Sequence, residues 1–186
     1  MNGLILMGGR STRMGTDKSL LPYHDGLPQR DYLFALLKGF CTEVYFSARE
    51  GQFAHANVIP DKQAVSPMSG IVSAFAQHPD TPWLVVACDM PLVNEATLRT
   101  LLEYRHAAKV ATAFYNPETK APEPLITVYE PAAYLPMKAS LEAGQKSPKI
   151  FLQEHDIEII FGGDTRFMTN INTPQDFKTF INQQGG

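Results

Sequence analysis

Short apolar runs alternate along this chain with segments whose apolar residues recur every three or four positions. The runs Leu4 to Met7, Val44 to Phe46, Val58-Ile59 and Trp83 to Ala87 read as strands, as do Lys109 to Phe114, Leu125 to Tyr129 and Ile157 to Phe161. The periodic segments predict helices over about residues 30–39, 68–78, 94–107, 131–143 and 173–183. Strands that alternate with helices predict an α/β domain around a mainly parallel sheet. Two helix starts carry local chemistry. Asn94 precedes Glu95 and the set Leu98, Leu101 and Leu102, as an N-cap should. Thr173 precedes Pro174 and Asp176, with proline in the first turn.

Composition narrows the class. The 186 residues suit a single domain spanning 1–186, and 44% hydrophobic content argues against disorder. A net charge of −3 with no basic block makes nucleic acid an unexpected partner. No run of apolar residues is long enough to span a bilayer, and no secretory signal pattern opens the chain. The expectation is a soluble, cytoplasmic protein. Cys41 and Cys88 form neither a disulfide framework nor a metal motif. The five histidines have no helical metal-ligand spacing and are expected at the surface.

The chemistry concentrates where the first strand breaks. Gly8 and Gly9 lack Cβ, so backbone amides there can approach an anion closely and form a nest for phosphate oxygens. Arg10, Arg13 and Lys18 bring the positive charge that a triphosphate needs. Neither common phosphate loop fits. A Walker A loop requires lysine directly after its last glycine, whereas Thr16 and Asp17 separate Gly15 from Lys18. The dinucleotide fingerprint requires a different glycine spacing. The plainer alternative is a glycine-rich turn with incidental charge.

Three further segments draw attention. Trp83 to Ala87 leads through Cys88 to Asp89, a hard oxygen ligand at the edge where open α/β sheets bind ligands. The alternative for Asp89 is a cap on the following turn, and Cys88 reads as a small buried residue. Ser66-Pro67 before Gly70-Ile71-Val72 reads as a helix entry whose amides could face an anion. Asn170 and Asn172 offer amide donors and acceptors, or merely an Asn-rich turn.

Together these segments resemble the MobA-like nucleotidyltransferases, the molybdenum cofactor guanylyltransferases of the nucleotide-diphospho-sugar transferase-like group. Residues Leu6 to Lys18 match nearly every fixed position of that family's first motif. Cys88-Asp89-Met90-Pro91 is similar to its metal motif, and Asn170-Ile171-Asn172-Thr173-Pro174 to its closing motif. The resemblance implies a Rossmann-like three-layer α/β/α sandwich. It implies transfer of GMP from GTP to the phosphate of molybdopterin, with Mg²⁺ at Asp89 and with Arg13, Lys18 and Asp89 as the catalytic residues. Leu6, Met7, Gly8 and Gly9 would contact the nucleotide, as would Lys18, Asp61, Gly70 and Asp89. Asn170 and Asn172 would face the acceptor. Cofactor-maturation proteins are the protein partners it suggests. Glu123 to Tyr129 is similar to a strand that lines the acceptor side, and its residues are expected to be structural.

The sequence departs from the family pattern in places. Ser66 and Met68 stand where glycine and leucine are usual, and Ser47-Ala48-Arg49 lacks an expected asparagine. The nearest alternative is the cytidylyltransferase branch, in whose motif alanine stands in place of Gly8. A non-catalytic nucleotide-binding or partner-docking relative is the other.

Overall fold

The computed structural model describes residues 1–7, 18–24, 26–61, 63, 66–171 and 173–184, the last three by backbone alone. The strands are β1 (Asn2–Leu6), β2 (Pro22–His24), β3 (Leu27–Pro28), β4 (Val44–Ala48) and β5 (Val58–Pro60), then β6 (Trp83–Ala87), β7 (Ala111–Asn116), β8 (Ala121–Tyr129) and β9 (Glu158–Ile160). The helices are α1 (Gln29–Lys38), α2 (Pro67–Gln77), α3 (Glu95–Glu103), α4 (Tyr134–Glu142), α5 (Pro148–Glu154) and α6 (Pro174–Gln184).

Seven strands form one sheet in the order β5-β4-β1-β6-β8-β7-β9. β1 lies near its middle, parallel to β4 on one side and β6 on the other. β8 alone runs backwards, antiparallel to both β6 and β7, while β9 is parallel to β7. The mainly parallel sheet expected from the alternation is therefore present, with one reversed strand. β2 and β3 form a separate hairpin.

Alternating side chains of the central strands feed two cores, as a pleated strand buried on both faces requires. Ile5, Leu84 and Val86 face Leu33 and Leu37 of α1 and Leu98 and Leu101 of α3. Leu4, Leu6, Trp83 and Val85 face the other way, toward α2, α4 and α5. Helices on both faces of a central sheet make the three-layer α/β/α sandwich. A third, smaller cluster joins Tyr23 to Ile171 and Phe180, which ties the hairpin to the end of the chain.

The helix starts behave as their chemistry dictates. Asn94 Oδ1 accepts from the Thr97 amide at 3.1 Å. Thr173 and Asp176 cap α6 reciprocally, each side chain accepting from the other's amide at 3.1 and 2.8 Å. Two elements were not expected: the β2–β3 hairpin and α5, a seven-residue helix capped by Ser147 Oγ. Among the described residues, no helix is long and apolar enough to cross a membrane.

Candidate functional site

The carboxyl ends of β1, β4, β5 and β6 lie side by side and gather the described candidate residues. Cys88 N–H donates to Leu6 C=O at 3.1 Å, and Met7 N–H donates to Ser47 C=O at 3.1 Å. Asp61 N–H donates to Ala48 C=O at 2.8 Å just beyond β5. Leu6 and Met7 are buried, so their side chains belong to the core and what they present to this edge is backbone. Gly8, Gly9, Arg10, Arg13 and Asn172 lie outside the described residues.

Asp89 occupies the turn after β6. Lys18 Nζ lies 3.6 Å from its Oδ2, with both side chains largely covered. Its Oδ1 is buried and has no hydrogen-bond partner among the described residues. Burial pushes the Asp89 carboxyl up from its ordinary range, against the pull of Lys18. The turn is held from two directions. Ile171 N–H donates to Asp89 C=O at 2.9 Å, and Gln29 Nε2 donates to Met90 C=O at 3.4 Å. The first of these bonds places Asn170 close to Asp89, and Asn170 Oδ1 is likewise buried without a partner among the described residues. Cys88 is 1% exposed, a packed residue as expected.

Asp61 is buried against the entry of α2. Ser69 Oγ lies 2.6 Å from Asp61 Oδ2, and Gln63 N–H donates to Oδ1 at 3.2 Å. Ser66 and Ser69 form a reciprocal cap, the two side chains each accepting from the other's amide at 3.4 and 3.3 Å. Serine at 66 thus supplies a cap that glycine could not, which gives the departure at that position a local reason. Met68 is fully buried beneath the same turn. Gly70 is where α2 crosses the sheet most closely. A Cβ there would sit 2.4 Å from Ser47 Oγ and 3.2 Å from Leu6 Cδ2. Arg49, in the segment without the expected asparagine, is exposed.

Glu123 lies on β8, and continuing the β6–β8 register beyond Val86↔Ile126 carries it toward Asp89. It is 5% exposed and accepts from Asn116 Nδ2 at 2.9 Å and from the Leu125 amide at 3.2 Å. Burial raises its carboxyl, and the charge of Asp89 adds to the rise. Not every histidine is at the surface: His24 is half-buried and stacks on Tyr32 with ring centroids 3.6 Å apart. Sequence reasoning passed over Ser69, Tyr23 and Asn116, and read Glu123 as structural. Of the three passed over, only Ser69 left a signal, three residues after a helix-capping serine.

An open α/β sheet whose carboxyl edge gathers a buried carboxylate, a lysine and capped helix entries places the chain in the doubly wound α/β class, which binds ligands at that edge. Comparison with known proteins resolves the class further. Residues 3–158 match the model of the MobA-like NTP transferase domain. The molybdenum cofactor guanylyltransferase of Xanthomonas euvesicatoria pv. vesicatoria is 33% identical, over 97% of this chain and 94% of that protein. The molybdenum cofactor biosynthesis bifunctional protein of Synechocystis is also 33% identical, but this chain spans only 52% of its length. The crystal structure of molybdopterin-guanine dinucleotide biosynthesis protein A from Archaeoglobus fulgidus shares the fold, with a TM-score of 0.80 at 22% identity over 100% of this chain and 99% of that one. The chain belongs to the MobA-like NTP transferase family.

Proposed function

We propose that this domain is a molybdenum cofactor guanylyltransferase acting in the cytoplasm, with GTP and molybdopterin as substrates. The observation that carries the reading is Asp89. It is a carboxylate at the carboxyl edge of the sheet, 3.6 Å from Lys18, with one oxygen buried and unengaged. The names of the relatives support guanine as the base and molybdopterin as the acceptor.

An orphaned hard oxygen fits Mg²⁺, which takes most of its ligands from phosphates and water and needs only one or two protein carboxylates. No group of three or more His, Cys, Asp or Glu residues suited to a metal occurs among the described residues. Asp89 would hold the ion, whose chemistry is to offset charge on the phosphates. Lys18, 3.6 Å from the same carboxylate, neutralises charge on the triphosphate. Gly8 and Gly9 cradle it, and Arg13 adds a second cation. Asp61, fixed by Ser69, receives hydrogen bonds from the nucleoside, and Gly70 lets the entry of α2 sit close to it. An oxygen of the acceptor phosphate attacks the α-phosphorus in line; its P–O bond forms as the bond to the β-phosphate oxygen breaks, and pyrophosphate leaves. Positioning and charge stabilisation dominate such a transfer, so no protein nucleophile is required. Asn170 and Asn172 orient the acceptor.

Thermal shift with GTP, CTP, ATP and UTP, each with Mg²⁺, tests the reading. A ligand at about 100 times its dissociation constant stabilises the fold by roughly 2.7 kcal/mol. GTP is expected to give the largest shift. A shift with CTP alone would replace guanine by cytosine, and no shift with any nucleotide would overturn nucleotidyl transfer.

A further inference from the structure

We propose that Tyr23 belongs to the phosphate site: its hydroxyl donates a hydrogen bond to a phosphate oxygen of the ligand held at Asp89. The inference rests on the function proposed above and adds a residue to that site.

Tyr23 is 7% exposed, and its hydroxyl oxygen is buried with no hydrogen-bond partner among the described residues. The surroundings of the ring explain its burial but not its oxygen. Phe177 and Phe180 meet it edge-on, with centroids at 5.2 and 5.3 Å and interplanar angles of 74° and 89°. A phenylalanine would make the same contacts. A buried hydroxyl left unbonded costs about 1–3 kcal/mol, so packing alone favours phenylalanine here. The oxygen therefore suits a partner that arrives with the ligand.

The location identifies that partner. Tyr23 packs on Ile171, whose amide bonds the Asp89 carbonyl. Five residues earlier in the chain, Lys18 reaches the Asp89 carboxylate. A phenol keeps its proton at neutral pH, so the Tyr23 hydroxyl can only donate when it bonds an anion. Three orphaned oxygens thus lie on segments packed around one turn: Tyr23 Oη, Asp89 Oδ1 and Asn170 Oδ1. The tyrosine is the donor of the three, and a phosphate oxygen is the acceptor that Lys18 beside it would also attract. That oxygen belongs to the nucleotide's triphosphate or to the acceptor's terminal phosphate.

The test is Tyr23→Phe, with calorimetric binding of Mg²⁺·GTP and of Mg²⁺·pyrophosphate, the KM for molybdopterin, and the melting temperature of the ligand-free protein. The variant is expected to melt no lower than wild type. A roughly tenfold or larger loss of Mg²⁺·GTP affinity, the scale of one hydrogen bond to a charged group, assigns the contact to the triphosphate. Unchanged GTP binding with a similar rise in the KM for molybdopterin assigns it to the acceptor phosphate. Unchanged binding and KM overturn the proposal, whether or not the variant melts lower. A wild-type protein that binds Mg²⁺·pyrophosphate but not GTP sinks the guanylyl reading alone, because Tyr23→Phe is then read on pyrophosphate. A wild-type protein that binds neither overturns both.

Discussion

Buried carboxylates stand at both ends of the β8 strand, and the two ends treat them differently. At the amino edge of the parallel strands, Glu130 is 2% exposed and fully engaged. Arg105 Nε donates to Oε1 at 2.6 Å and its terminal nitrogen to Oε2 at 3.0 Å. At the carboxyl edge, among the described residues, Glu123 accepts from neutral donors, and Asp89 has a lysine at 3.6 Å on one oxygen and no hydrogen-bond donor on the other. A fork that satisfies both oxygens makes a structural joint. A carboxylate left half-served in a covered place is poised for a cation and phosphates. The same residue type thus closes the fold at one edge and keeps it open for chemistry at the other.

Five substitutions press on that contrast. Asp89→Asn is expected to lower transfer by at least on the order of a hundredfold, the scale of losing one electrostatic contact in an active site, with the fold retained. Circular dichroism and turnover check this, and near-normal turnover would remove Asp89 from the chemistry. Arg105→Ala is expected to do the reverse. Leaving Glu130 buried and unpaired should cost about 3 kcal/mol. That lowers the melting temperature by roughly 6–12 °C in a domain of this size, while Mg²⁺·GTP affinity stays unchanged. Loss of affinity without loss of stability would erase the distinction between the two edges.

Gly70→Ala places a methyl group against Ser47 and should cost about 1–3 kcal/mol by overpacking. Adding Ser47→Ala removes the oxygen that the methyl group meets and should recover most of the loss. Denaturant melts of the single and double variants measure it; no recovery would place the strain elsewhere. Glu123→Gln has the smallest effect, and its signature is pH dependence. The folded protein raises the Glu123 carboxyl, so this group's contribution to stability is fully present below the unfolded value of about 4.3 and is lost as pH rises through the raised value. Wild type should therefore gain stability relative to Glu123→Gln as the pH falls from 8 to 4.5. A difference that stays constant across that range would mean Glu123 is not raised.

Much of this molecule was legible in its sequence where local chemistry decides the outcome. Trp83 to Ala87 is a strand at the residues expected, and Asn94, Ser66 and Thr173 start helices because their side chains bond amides within a turn. The described candidates Met7, Lys18, Asp61, Gly70, Asp89 and Asn170 do lie along one sheet edge. The reversed direction of β8 was not legible, because an apolar run reads the same for either orientation. α5 was hidden by its length of seven residues. The orphaned hydroxyl of Tyr23 was hidden for another reason: its burial depends on Phe177 and Phe180, about 150 positions away along the chain.

The place of β1 in the sheet bears on how the protein is made. It precedes both its partners in the chain, β4 and β6, which begin at residues 44 and 83. Until the second has emerged, one edge of Leu4-Ile5-Leu6 has no neighbour, and non-local parallel pairing of this kind forms slowly. During that interval the nascent chain presents an unpaired apolar edge, the condition under which misassembly competes with folding. A segment fully covered in the finished domain thus waits about eighty residues for its second neighbour.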